Sequence, residues 1–245
     1  MKSTINSLAV IQTDQIGDNV VIHEYAIIRR GAKIGNNVVI HPFAIIEEGV
    51  TIGNDVVVFP SAYLGKPPRG VGAMTRPMNY TPRTEVGDGC VIGPNAVIYY
   101  DVEIGPNTLI SDGASIREQT RIGTRCIIGR YVTVNYATLI GDNVKVQDHT
   151  WLAGNMAIGD KVFISGGVTT ANDNLMGAAG YKEDDIVGPT IGNGVRIGAG
   201  AIILPAVKVG DNALIGAGAV VTKDVPAGQT AKGIPARFTA SKDIS

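Results

Sequence analysis

The chain has 245 residues, 44% of them hydrophobic, enough to bury a substantial core as one domain over 1–245. With a net charge of −1, nothing in the charge balance suggests non-specific binding to nucleic acid or to a membrane surface. No apolar run is long enough to span a bilayer and Met1-Lys-Ser-Thr-Ile lacks a signal-peptide core, so the expected location is cytoplasmic.

Residues 1–15 read as an incomplete lead-in coil and N-terminal cap, with Leu8 and Val10 in the inward register. From Ile16 the chain repeats every six residues, and more closely every eighteen. Ile16-Gly-Asp-Asn returns as Ile34-Gly-Asn-Asn and Ile52-Gly-Asn-Asp, while Ile22-His-Glu-Tyr is answered by Ile40-His-Pro-Phe. Units start at every sixth residue from Ile16 to Leu64, from Val86 to Thr170 and from Ile191 to Val221. The first position is Ile, Val or Leu at all starts but Thr170, and the fifth is small, as at Val20, Ala26, Ala32 and Cys90. Positions one and five therefore point inward, two to four form a corner, and the sixth turns outward by pleating. Three strands and three corners close one coil, which predicts a parallel β-helix of about ten coils and roughly 50 Å. Few aromatics and 32 glycines suit such a thin-walled prism. Cys90 and Cys126 fall at fifth positions two coils apart, about 10 Å, and read as small core residues rather than a disulfide.

The register breaks at about 70–85 and 176–190. Both insertions follow a unit of the third type and return at one of the first type, so both leave the prism along one edge. In a solenoid that is often the binding face. The first insertion and its approach carry Lys66, Arg69, Arg76 and Arg83 against one acid, Glu85, a bias that suits a phosphate or diphosphate. Sorted by wall, the outward positions are apolar on two walls (Val21, Val39, Val57, Val91 and Ile27, Ile45, Tyr63, Val97). On the third they are mostly polar (Lys33, Thr51, Glu103, Arg121). Two adjacent apolar walls on a rigid prism predict association, and a closed three-fold ring, a homotrimer, uses both.

The most specific stretch is Ile191 to Pro226, with its Gly198-Ala199-Gly200 and Gly216-Ala217-Gly218 corners, followed by the tail 226–245 with Lys232-Gly-Ile-Pro-Ala-Arg237. It resembles the C-terminal signature of the hexapeptide-repeat acyltransferases, and the hexad pattern as a whole resembles their left-handed parallel β-helix. The resemblance implies an all-β, left-handed helix and acetyl-coenzyme A as acyl donor, with no metal. The pantetheine arm would pass Gly198, Ala199, Gly216 and Ala217 between subunits, and Lys223, Lys232 and Arg237 would meet the nucleotide phosphates.

Many members carry a histidine general base at the third position of a third-type unit. Here those places hold Tyr100, Glu118, Tyr136, Gly154 and Asn172. His149, next to Asp148, sits instead at a second-type corner. Without that base the balance moves to an amine acceptor, which is already a nucleophile when neutral. Val168-Thr-Thr-Ala-Asn-Asp173 resembles a segment of sugar-nucleotide N-acetyltransferases, which implies a nucleotide-linked amino sugar oriented by Asn172 and Asp173. Where those relatives often carry Tyr-Glu-Gly, this chain has Ala153-Gly-Asn155, so Asn135, Tyr136 and Asn155 are the expected sugar contacts. The alternatives are O-acetylation with His149 as base and a non-catalytic scaffold. A zinc enzyme on the same helix needs converging histidines, and His23 and His41 lie far from His149 along the chain.

Overall fold

The structure, a computed structural model, describes residues 3–70, 76–178 and 182–240. Parts of both insertions (71–75 and 179–181) and of the two ends lie outside the described residues. The fold is a left-handed parallel β-helix with three flat walls: a first sheet of 13 strands, a second of 11 and a third of 9. Apart from the last two strands of the first sheet, every strand-to-strand pairing among the described residues is parallel, and most join residues eighteen apart, such as Val21↔Val39, Ile27↔Ile45 and Lys33↔Thr51.

The interior follows the hexad. First-position Ile22, Ile28, Ile40 and Ile46 and fifth-position Val20, Ala26, Ala32 and Ala44 are all essentially inaccessible. Branched residues fill the corners of the triangle while small ones let the walls approach. Cys90 and Cys126 are buried free thiols among them, and burial pushes both pKa values up.

The helix has about twelve turns rather than ten, because both ends contribute. Thr4–Ile5 pairs with Val21–Ile22 and Val10–Ile11 with Ile27–Ile28. These pairs are seventeen apart, one residue short, so the inward register of the lead-in coil is shifted from the one expected. Ala9 and Ile11 pack against the core, while Leu8 and Val10 are 55% and 46% exposed. At the other end Gln229–Lys232 and Arg237–Ala240 form an antiparallel hairpin that continues the first sheet.

The three edges differ in chemistry. On the third–first edge, a Cβ at Gly35 would lie 2.5 Å from the Gly53 carbonyl oxygen, so the second corner position must be glycine. The third position there is an Asp or Asn on most coils, with Pro106 and Thr124 as exceptions, and its Oδ1 accepts the amide of the coil before: Asn36 from Asp18 (2.8 Å), Asn54 from Asn36 (2.9 Å), Asp160 from Asp142 (2.8 Å). The second–third edge lacks this ladder and carries large side chains instead. Both insertions leave there, between second-sheet strands Tyr63–Lys66 and Thr169–Thr170 and third-sheet strands Thr84–Val86 and Thr190–Ile191.

Candidate functional site

On the second–third edge the second and third corner positions stack coil on coil as Tyr99-Tyr100, Arg117-Glu118, Asn135-Tyr136, Ala153-Gly154 and Ala171-Asn172. Tyr136 climbs this edge. Its ring covers Gly154, where an added Cβ would lie 2.7 Å from ring atoms, and its hydroxyl reaches 3.5 Å from Asn172 Nδ2. The guanidinium of Arg76, from the first insertion, lies over the same ring at 3.7 Å from the centroid.

Arg76 is fixed by Glu118. The Glu118 side chain is fully buried and accepts from Arg76 Nη2 and from Arg117 Nε (2.9 Å) and Nη2 (3.1 Å). Burial alone pushes its pKa up, but the hydrogen bonds from Arg117 and Arg76 outweigh it and the net direction is down. Glu118 is therefore a locked carboxylate. Below it, Arg117 lies 5.0 Å and Lys66 4.1 Å from the centre of the Tyr99 ring, and Lys66 Nζ donates to the Tyr99 hydroxyl (2.7 Å). Tyr80 of the first insertion stacks on Tyr100, whose hydroxyl is pushed up to about 12 by burial and then by Glu47 and Glu48.

The second insertion closes the upper part. Asn172 Nδ2 donates to the Gly154 carbonyl (3.1 Å) and Asn155 Nδ2 to the Ile186 carbonyl (2.8 Å). Asn135 Nδ2 likewise donates to Leu152 (2.9 Å). With their NH₂ groups engaged, these amides offer their Oδ1 atoms to a ligand. Asp173 starts the loop: Oδ1 accepts from Leu175 N and Oδ2 from Gly177 N, both at 2.7 Å.

Of the residues expected from sequence, Asn135, Tyr136, Asn155, Asn172, Asp173 and Arg76 thus share one edge. Arg83 turns onto the third wall, where it pairs with Glu103 (2.8 Å) and Glu85 (3.5 Å), and Arg69 is exposed. Lys66, expected among the phosphate-binding cations, also belongs to the constellation, as do Tyr99 and Arg117, to which sequence reasoning gave no role at the site. For Tyr99 and Arg117 their common second position on the corner ladder was the available signal; Lys66 comes level with Tyr99 only through a register shift after Leu64.

His149 lies on the first–second edge, exposed, with its ring stacked on Tyr131 at 5.4 Å. Its neighbour Asp148 is turned to Arg130, accepting from the amide (2.8 Å) and from Nη1 (3.0 Å). His23 and His41 stack at 5.1 Å near the start of the same edge. The corners Gly198–Gly200 and Gly216–Gly218 are on that edge too. Gly198 is packed against the main chain of Gly216 and Ala217, whereas Gly200 and Gly218 face open space at positive φ. Lys232 lies beside Gly216, while Lys223 and Arg237 line one cleft with Thr222, Ala236 and Phe238. In a single chain the second sheet therefore separates the glycine-alanine corners from the Tyr136 cluster.

A family model described as bacterial transferase hexapeptide (six repeats) matches residues 15–47, 31–66 and 188–223, and one for the GMPPB C-terminal domain matches 74–176. No curated protein matches the chain. LpxA, a UDP-N-acetylglucosamine acyltransferase from Bacteroides fragilis, aligns with TM-score 0.53 and 20% identity over 96% of this chain and 74% of its own, a likeness of fold. The UDP-N-acetylglucosamine O-acyltransferase LpxA of Moraxella catarrhalis gives TM-score 0.49 and 18% identity over 96% and 73%. PerB from Caulobacter crescentus, solved with CoA and GDP-perosamine, gives 0.37 and 24% over 60% and 55%. The six-residue register thus runs through a chain that matches the bacterial transferase hexapeptide repeat on both sides of the cluster.

Proposed function

We propose that the protein transfers the acetyl group of acetyl-coenzyme A to the amino group of a nucleotide-linked amino sugar, as a cytoplasmic homotrimer. The observation that carries this reading is what occupies the second–third edge. Glu118 is held as a carboxylate by two guanidinium groups, and Gly154 and Asn172 have no titratable group. An acceptor that brings its own lone pair suits such a surface. The neutral amine attacks the thioester carbon, the tetrahedral intermediate expels the thiolate, and the ammonium proton goes to the leaving sulfur or to water. Asn172, Asn155 and Asn135 orient the sugar through their amide oxygens, and Asp173 holds the loop that carries Asn172 in place. The thioester arm runs past Gly198, Ala199, Gly216 and Ala217, with Lys223, Lys232 and Arg237 for its phosphates. Because those corners and the Tyr136 cluster lie on different edges, a neighbouring copy completes the site.

A second reading, O-acetylation with His149 as base, is favoured by one feature: His149 stands on the same edge as the glycine-alanine corners. A thiol-release assay with acetyl-coenzyme A across amino and hydroxyl sugar nucleotides separates the two. Release only with amino sugars is expected; release only with hydroxyl sugars overturns the amine reading.

A further inference from the structure

The second–third edge carries more positive charge than its own packing uses. Between the coils of Lys66 and Tyr136 stand three cations, Lys66, Arg76 and Arg117, and among the described residues only Glu118 pairs with any of them. Two of the other acids nearby are engaged elsewhere. Asp101 pairs with Arg121 (2.8 Å), and Glu47 lies 3.8 Å from Arg29 and accepts from the Tyr63 hydroxyl (3.0 Å). The Glu48 carbonyl accepts from Tyr100, and its side chain leans toward Gly31 on the coil below.

Arg76 is nearly covered, with 10% of its side chain exposed, and acts as the clamp that ties the first insertion to Tyr136 and Glu118. Arg117 retains 22% exposure and Lys66 is half-buried. Both are set against the Tyr99 ring, which restricts their rotamers before any ligand arrives. Glu118 fixes Arg117 through two nitrogens and leaves the remaining guanidinium N–H groups directed away from the pair.

We propose that Lys66 and Arg117, held by Tyr99 and Glu118, form an anion subsite that takes the diphosphate of the nucleotide-linked substrate. The inference rests on the sugar-nucleotide reading above and moves the diphosphate from the insertion arginines Arg69 and Arg83 to the prism edge. The same charge chemistry would accept the diphosphate of coenzyme A, so the test has an arm for each source.

Isothermal titration of the full-length protein with UDP, GDP, dTDP, inorganic pyrophosphate and coenzyme A, against Lys66→Gln and Arg117→Gln, provides the test. Each substitution removes a charge-assisted contact and should weaken the nucleoside diphosphate roughly tenfold, leaving the coenzyme A Kd within about twofold. Arg117→Gln also removes a partner of Glu118. The Lys66 side chain hydrogen-bonds only Tyr99 among the described residues, so Lys66→Gln decides if the other variant fails to fold. Unchanged diphosphate affinity in folded Lys66→Gln, no diphosphate binding by the wild type, or an equal loss of coenzyme A affinity overturns the subsite. Titration reads binding alone. If Lys66 and Arg117 bind diphosphate but acetyl-coenzyme A releases no thiol with any sugar nucleotide, the transfer reading fails and the subsite stands.

Discussion

At the scale of single residues, Glu118 decides how the edge is built. The corner ladder showed where it stands, because every eighteenth residue shares that place. Its partner Arg76 is forty-two residues away in an insertion with no period, so nothing in the spacing could pair them. The pairing has a pH signature. The folded-state pKa lies below the ordinary 4.5, so the contribution of Glu118 to stability is complete above 4.5 and disappears as pH falls through the folded value. Glu118→Gln should therefore unfold at lower denaturant concentration than the wild type at pH 7. The cost is about 3 kcal/mol, since it strips a buried pair of one charge. The gap should narrow below about pH 4. Denaturant midpoints of both proteins from pH 3 to 7 check this, and a gap independent of pH would remove the ion pairs from the explanation.

At the scale of elements, the strands and corners were legible because the hexad fixes which side chains enter a triangular core. The outward sixth positions sort onto three walls as expected. The lead-in coil was misread, with Leu8 and Val10 outside and Ala9 and Ile11 inside, because a corner one residue short shifts the register and too little repeat precedes it to show the slip. The insertions were located but their paths were not. Asp173 illustrates the difference: a residue expected to touch the acceptor uses both oxygens on loop amides. Asp173→Asn replaces one acceptor oxygen with a donor and should loosen the loop. The acceptor KM should rise several-fold while coenzyme A affinity stays within about twofold, as initial-rate kinetics and titration would show. On the opposite edge Ala199 and Ala217 are exposed corner residues, so Ala199→Trp or Ala217→Trp should obstruct the thioester arm without disturbing the core. Calorimetric titration with coenzyme A should show at least a tenfold loss; unchanged affinity would put the groove elsewhere.

At the scale of the whole molecule, the prism presents two walls whose outward residues from Val21 to Leu109 and from Ile27 to Val97 are apolar and only half-covered in one chain. The third wall is a solvated ladder in which Arg121 bridges Asp101 (2.8 Å) and Glu103 (3.2 Å). Burying the two apolar walls against neighbours would close a three-fold ring, the assembly proposed above. Sedimentation equilibrium at micromolar concentration should give a trimer, and Ile45→Lys or Val97→Lys should weaken it by placing a charge in a dry contact. A stable wild-type monomer would leave the divided site unassembled.

The central claim is that the acceptor amine needs no enzyme base, and the steady-state turnover of His149→Ala tests it most directly. His149 is exposed, and its neighbouring carboxylate is held by Arg130. The variant should keep its trimer and lose less than tenfold in kcat with an amino-sugar nucleotide, because a positioned general base supplies about 10²–10⁴-fold. If His149→Ala binds both substrates as a trimer yet loses turnover by that full factor, the histidine is the base and the amine mechanism is wrong.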